Sequence, residues 1–592
     1  MADINNGPNK LNDSEPHTER RMLLAFLLMG AILFATPYFY RLLAPPAPAP
    51  EQAAVAAEQA KPGQAQAAES ASPEAANVVP AAKAGEAPPA VPATPVSAEQ
   101  EEVRTIETDL YRVTLSNRGA VVRSWILKKY SDRSGKPLDL VNPVGSEKSA
   151  YPFSLAFKGQ KPSADLNSVL WAVRPDTNNL SVVFEYSDGH TSARKTFSFK
   201  NNSYLSEFSS EVTEDGQGIA HLVAWRGGFG DSAVQNAAGA QHAVYFDVAS
   251  KKLVQEAAKA AKDGPVDNNG QYSFAGVQDT YFAAVFMPRG GNGVVVRLLS
   301  DDVPTVADQE PEPHVGVAVG GAPQQHLEVF AGPKDVKLLQ KVDPRLAQLV
   351  DFGTWFGWLA KPLFTILTYI HDNLIPNYGW AIIVFTIILN IAMVPLRFSS
   401  IKSMKKMQDL QPQIQAINAK YKGVGLRDPR NQEKNAELME LYKRHGVNPV
   451  GGCLPMLLQM PIFIAFYTVL TVAIELRGAD WLWIKDLSHF DPLYILPIAM
   501  VVAQYAQQKM TPNPSGDPAQ QRMLLFMPLI FGFMFMKAAS GLVLYWFTSN
   551  LVGVAIQFAM NKIMGVGAVA QPQPAPAAAV AGPQKRRTGS RK

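Results

Sequence analysis

Residues 379–397 read GWAIIVFTIILNIAMVPLR. The run is long and apolar enough for a helix that crosses a bilayer, yet it carries a carboxamide, Asn390, and ends on Arg397 seven residues later. Thr386 precedes Asn390 by four positions, which puts both on one helical face. A polar side chain within a span serves as an interhelical hydrogen bond or lines a wet cavity. The residues around it decide between those readings.

Four more uncharged apolar runs follow, at 454–474, 492–508, 523–536 and 541–560, after the first at 379–396. The intervening loops differ in charge. Residues 397–452 hold eleven Lys/Arg against five Asp/Glu, whereas 475–491 hold two against four. The end of the chain, QKRRTGSRK, is basic, and 563–592 reads as a basic tail. The positive-inside rule places 397–452, 509–522 and the tail in the cytoplasm and 475–491 outside. A further run, Met22 to Tyr40, is uncharged over nineteen residues and ends in Pro37-Tyr38-Phe39-Tyr40. That ending resembles an interfacial aromatic belt more than a signal-peptide cleavage site, so 22–40 is expected to be an anchor. Six spans then leave 1–21 and the tail in the cytoplasm and everything between the first two spans in a periplasm.

That exported portion opens with 41–101, rich in Ala, Pro, Glu and Gln, a composition too poor in large apolar residues to fold. From 102 to 335 the pattern alternates. Tyr111 to Leu127 switches phase around Asn117-Arg118-Gly119, and Ala193 to Thr213 does so around Asn201-Asn202. Further short runs at 181–186, 222–227, 243–247, 281–287, 293–298 and 325–331 give an all-β sandwich. No convergent carboxylates or histidines mark an active site in it. Residues 336–374 turn helical. FGTWFGWLAKPLFTILTYIHDNL (352–374) is aromatic and interrupted, suited to lying in the membrane interface. His371 beside Asp372 reads as its polar edge, since no nucleophile accompanies the pair.

The loop 397–452 is patterned as well. Ile401, Met404, Met407, Leu410, Ile414, Ile417 and Tyr421 form a narrow helical seam, broken by Gly423-Val424-Gly425. NQEKNAELMELYKRHG forms a second helix, so a helical hairpin standing off the membrane is expected. Its charges make a solvated face or a contact for lipid headgroups or a ribosome.

The spans contain no ionisable residue, but Thr386, Asn390, Gln459, Gln504, Gln507, Thr548, Ser549, Asn550 and Gln557 are neutral and polar. Any one of them suits a helix–helix hydrogen bond; distributed over several helices, they suit a shared wet cavity. A transporter with an exported ligand-binding domain would be expected to show intramembrane charges and repeated halves, and neither occurs here. An enzyme acting on periplasmic polysaccharide would need paired carboxylates in a cleft, which sequence alone does not locate. One cysteine, Cys453, excludes an intrachain disulfide, and no cofactor or metal signature is present. The run 523–536, between Arg522 and Lys537, offers about fourteen uncharged residues, roughly 21 Å of helix, against a hydrocarbon core of about 30 Å. So short a helix thins the bilayer beside it.

The stretches NPVGGCLPMLLQMPIFIAFY (448–467), DPLYILPIAM (491–500) and SGLVLYWFTSNLVGVAIQ (540–557) resemble the YidC membrane protein insertase family of Gram-negative bacteria. AGPKDVKLL (331–339) and VDFGTW (350–355) resemble the end of that family's periplasmic domain and the start of its interfacial helix. The resemblance implies a bacterial inner-membrane protein with a five-helix core and a separate anchor. Its hydrophilic groove would be open to the cytoplasm and to lipid. Nascent membrane proteins would enter that groove without covalent chemistry or cofactor, with the protein also acting as a chaperone. Implied partners are the SecYEG translocon with accessory Sec components, the ribosome and membrane lipids, with no nucleic acid beyond ribosomal contact. The family's groove arginine on the second span falls, counting from Pro395-Leu396, on Asn390. The expectation is that Asn390 keeps the groove wet, with Thr386, Gln459, Gln504, Gln507, Thr548, Ser549 and Asn550, while Arg397 supplies charge at its mouth.

Overall fold

The computed structural model describes residues 94–563, apart from 133, 176–178, 233–236, 290–292, 354, 422–427, 448–453 and 512–517. The anchor at 22–40, most of the linker, the Gly423–Gly425 break, Cys453 and the basic tail lie outside the described residues. The chain divides after Pro333 into two compact units.

The first unit is built from antiparallel strands in a four-, a ten- and a five-stranded sheet. Gly119, at φ +73°, and Ala120, at φ +48°, carry the turn between Tyr111–Ser116 and Val121–Ser131. The strands Thr191–Ser198 and Leu205–Glu214 pair across the Asn201-Asn202 turn, with Phe197 opposite Phe208. Alternation sends Ala193, Lys195, Phe197 and Phe199 inward. Phe153 packs on Phe197 and Phe208 at 5.1 Å and, from the other side, on Trp225 at 6.2 Å, so the core lies between two stacked sheets.

Lys195 is the exception in that core. It is fully buried, yet its Nζ donates to the carbonyls of Gly119 (2.8 Å), Ala120 (3.1 Å) and Phe153 (2.8 Å). Three acceptors match the three N–H groups of an ammonium. Burial pulls the pKa down to about 7, while those carbonyls hold the proton. One side chain thereby ties a turn and a loop to the central sheet.

The second unit is helical. Its helices are α1 (Val336–Val342), α2 (Gly357–Asn373), α3 (Tyr378–Ala392), α4 (Val394–Asp409), α5 (Gln411–Lys420), α6 (Arg430–Arg444), α7 (Leu454–Val472), α8 (Ile495–Met510), α9 (Pro518–Phe535) and α10 (Ser540–Ile563). Among the described residues only α10 is, alone, long and apolar enough to cross a membrane, and α3 with α4 qualifies as a pair bent by 54°. The expected run 379–396 is thus interrupted. Pro395 has no N–H to return to Ile391, and the chain turns at Met393. The seam from Ile401 to Tyr421 is interrupted too, at Leu410 before Pro412. Met407, Leu410 and Ile414 of the seam pack with Val447 against Leu438, Leu441 and Tyr442. Helix α9 begins before the expected 523, at Pro518.

Helix α2 exposes Trp358, Ile366 and Tyr369 and buries Leu363, Phe364, Leu367 and Ile370. His371 stacks on Tyr378 with 3.7 Å between ring centroids and donates or accepts at 2.9 Å with Asp372, which also pairs with Lys337. Lys337 and then His371 hold the Asp372 carboxyl below its usual range. Nearby, burial pushes the Glu475 carboxyl up to about 7. Among the described residues no basic group lies within ion-pair distance of it.

Lys195→Met orphans three buried carbonyls and should cost about 2–4 kcal/mol, read as lost hydrogen-exchange protection in Thr191–Ser198. In the wild type the unfolded chain binds the Lys195 proton more tightly, so that protection should rise between pH 7 and pH 9. Glu475 has the opposite sign. Its folded pKa lies above the unfolded value, so its contribution is complete below the ordinary carboxylate range and is lost as pH rises through 7. Glu475→Gln should therefore raise the unfolding free energy at pH 8, by about 1–2 kcal/mol for a half-buried group, and leave it unchanged near pH 3.

Candidate functional site

Helix α3 places Thr386 and Asn390 one turn apart, both buried. Thr386 Oγ1 donates to Ile382 O at 2.6 Å, a bond within its own helix. Asn390 Nδ2 donates to Thr386 O at 2.8 Å and reaches Ser549 Oγ on α10 at 3.3 Å. Ser549 Oγ in turn lies 3.4 Å from Asn390 Oδ1. The third partner of Asn390 is Arg397. Its side chain points back toward the start of α4, as helical side chains do, and Nη2 donates to Asn390 Oδ1 at 2.9 Å. The guanidinium therefore sits on the carboxamide itself. A straight helix would separate the two residues by about 10 Å along its axis. The long arginine stem spans what the bend leaves.

The groups around Arg397 come from two further helices. A Cβ on Gly553 of α10 would stand 2.4 Å from Gln507 Nε2 of α8 and 3.2 Å from Arg397 Nη1. The bare glycine thus leaves room for the guanidinium and the carboxamide to converge, and a side chain there would push their ends aside. Gln459 of α7 donates to Tyr545 Oη at 3.2 Å, and Tyr545 lies one turn before Ser549 on α10. Phe466 packs between Phe385 and Tyr545, at 4.7 Å from each. An aromatic column consequently covers the Asn390 cluster on the side of the α3 and α10 N-termini. On the α7–α9–α10 side, Trp546 is ringed by Phe463, Phe531 and Phe535.

The structure thus links Thr386, Asn390, Arg397 and Ser549 by hydrogen bonds, places Gln507 beside Arg397 at Gly553, and bonds Gln459 to Tyr545 one turn before Ser549. Gln504 and Asn550 lie one turn nearer the helix starts than Gln507 and Gly553. Thr548 is buried on α10 and makes no bond to Asn390, and Gln557 pairs with Asn561 at 2.9 Å. Sequence reasoning missed Tyr545 and Gly553. Their spacing of four from Ser549 was the available signal, since it puts all three on one face. Outward, Ile387, Ile388 and Ile391 of α3, Ile498 and Val502 of α8, and Phe526, Ile530 and Phe533 of α9 are exposed. So wide an apolar exterior around a polar interior suits surroundings of lipid.

The cluster can hold a cation at a fixed place between three helices and offer amide and hydroxyl groups beside it. It offers no nucleophile with a base. Because Arg397 is partly exposed, the Asn390–Arg397 bond should show a double-mutant coupling of about 1 kcal/mol. Asn390→Leu, Arg397→Gln and the pair, unfolded by denaturant in mixed micelles, measure it; additive effects would mean that the bond carries nothing.

Known proteins give this geometry a context. Residues 369–566 match the family described as 60Kd inner membrane protein, and residues 104–366 match the YidC periplasmic domain. A membrane protein insertase YidC from Syntrophus aciditrophicus is 33% identical over 578 residues, covering 92% of this chain and 99% of its own. The one from Geobacter metallireducens is 35% identical over 563 residues, with 92% and 98% covered. Among solved structures, an active YidC insertase with its first transmembrane domain resolved is similar at 22% identity, covering 78% of this chain and 94% of that one, with a TM-score of 0.34. YidC from Thermotoga maritima is similar at 16% identity, with 78% and 99% covered and a TM-score of 0.29. With a β-sandwich unit in the periplasmic-domain match and a helical core in the inner-membrane match, the chain belongs to the family of YidC membrane protein insertases.

Proposed function

We propose that this insertase moves nascent membrane proteins into the inner membrane past the Asn390 cluster, and that Arg397 is the cluster's working cation. The hydrogen bond from Arg397 Nη2 to Asn390 Oδ1, at 2.9 Å, carries the reading. It gives a buried polar centre a fixed positive charge although the span itself holds only a carboxamide. A hydrophilic client tail with acidic residues is drawn to that charge, while the client's apolar span finds lipid past the exposed faces of α3, α8 and α9. Thr386, Gln459, Gln504, Gln507, Thr548, Ser549 and Asn550 supply the neutral polar wall.

The wider arrangement is part of the same proposal. Six spans place both termini, the helices of 397–452 and the basic tail in the cytoplasm, and the β-sandwich in the periplasm. The charge bias between 397–452 and 475–491 supports that orientation. The cytoplasmic helices receive ribosomes or clients at the headgroup surface. The protein acts alone or beside SecYEG and its accessory components, and as a chaperone for spans that have left the groove.

Photo-crosslinking from Asn390, Thr386 and Gln459 to ribosome-bound nascent chains of a single-span protein tests the path. A lipid-facing control is Phe533. Client adducts from the three and not from the control are expected; adducts to lipid alone would end the proposal. Arg397→Gln should slow insertion of an acidic-tailed client about ten-fold while leaving a neutral-tailed one within about two-fold, as a lost charge-assisted bond predicts.

A further inference from the structure

Nearly every buried polar atom around Asn390 has a partner inside the protein. Two atoms do not. Gln504 Oε1 on α8 and Asn550 Nδ2 on α10 are buried and, among the described residues, make no hydrogen bond. Asn550 as a whole is 7% exposed. Leaving a buried donor or acceptor unmade costs about 1–3 kcal/mol each, and native structures keep few of them.

Their placement relates them to each other. Helices α8 and α10 run parallel. Ser540 N donates to His489 O near the start of both, Gln507 reaches Gly553 midway, and Asn561 Nδ2 reaches Met510 O at 3.3 Å near the end. Stepping back three residues from Gln507 and from Gly553 gives Gln504 and Asn550, so both amides stand at one level of the same helix pair. Asn550 is also the neighbour of Ser549, which bonds Asn390. The orphan atoms thus flank the cluster. Gln504 as a whole keeps partial exposure, so a visiting chain can approach its flexible terminal amide.

One orphan is an acceptor and the other a donor, and neither is charged. That is the complement of a peptide unit, with its N–H and its C=O. Client tails differ in side chains and share only their main chain. For such a tail the main cost of entering a low-dielectric space is stripping water from each peptide group. We propose that Gln504 and Asn550 form a docking pair for one main-chain peptide unit of an extended client segment, Gln504 Oε1 accepting from its N–H and Asn550 Nδ2 donating to its C=O. The proposal rests on the reading that clients pass beside Asn390. A buried water would use the same two atoms, and the test separates the two.

Full-length protein in liposomes, wild type, Gln504→Leu and Asn550→Leu, is given a client whose tail carries a single amide-to-ester replacement at successive positions. An ester lacks the N–H and keeps a carbonyl. Gln504→Leu should slow the all-amide client about three- to ten-fold, the worth of one hydrogen bond. At the docked position the ester client should lose that sensitivity to Gln504→Leu and remain slowed by Asn550→Leu. Because neither atom has a protein partner to lose, both leucine variants should unfold at the wild-type temperature or above. Insertion unchanged in both variants, or slowed equally for amide and ester clients at every position by Gln504→Leu, would overturn the docking pair and leave the two atoms to a water. Loss of Asn390 crosslinks to the client in the wild type would instead overturn the path itself.

Discussion

Asn390, a carboxamide buried among helices, uses all four of its hydrogen-bonding sites, and those bonds organise the helical unit. Its partners are Thr386 O behind, Ser549 across the α3–α10 contact and Arg397 from below. Each partner fixes something different. Thr386 O is an ordinary helical carbonyl and sets the rotamer of the amide. Ser549 sets the register of α10 against α3. Arg397 can take part only because α4 leaves α3 at an angle and its stem runs back along the turn. Replacing the carboxamide with an arginine would put the charge on α3 directly, at the much higher cost of burying a full cation within a span. Splitting the task keeps the costly group on the helix that leaves the bundle.

How much of this was legible in the sequence depended on distance. Asn390 and Arg397 stood out because polarity in an apolar run is a local signal. Thr386 followed from the four-residue spacing. Ser549 was named as one of several polar residues, but nothing in the chain said that it, and not Thr548 beside it, would face Asn390. That choice is made by the azimuth of α10, which only packing sets. Tyr545 gives no such signal, because its ring packs on Phe466 as any core aromatic would while its hydroxyl takes the bond from Gln459. Gly553 passed unnoticed since a missing side chain leaves no pattern.

The β-sandwich was legible through the same logic and opaque in the same way. Alternation and the Gly119 and Asn201-Asn202 turns announce antiparallel strands. Lys195 is in phase with Ala193, Phe197 and Phe199, so its inward direction was readable, yet its three carbonyl partners come from residues 42 to 76 positions away. In the helical unit, Pro395 and Pro412 each interrupt a run whose hydrophobic spacing continues through them. Periodicity describes a face and says nothing of the axis. The bend at Met393 is therefore the feature least available from pattern, and it is the one that lets Arg397 reach Asn390.

The bonds of the cluster also bear on how a client can be held and let go. Thr386 Oγ1 and Asn390 Nδ2 each bond to a carbonyl one turn back on their own helix, so only Asn390 Oδ1 loses its partners when Ser549 and Arg397 leave. Ser549 and Arg397 are then free to exchange Asn390 for a visiting chain at little net cost, since one hydrogen bond replaces another. A path of tight, single-partner sites would trap its cargo. A path whose polar atoms have a fallback within their own helix binds each segment weakly and reversibly, and that is what a chain moving through must meet. On the proposed path the direction of travel then comes from outside the cluster, from the gain when an apolar span leaves the polar wall for the lipid beside Ile391, Val502 and Phe533.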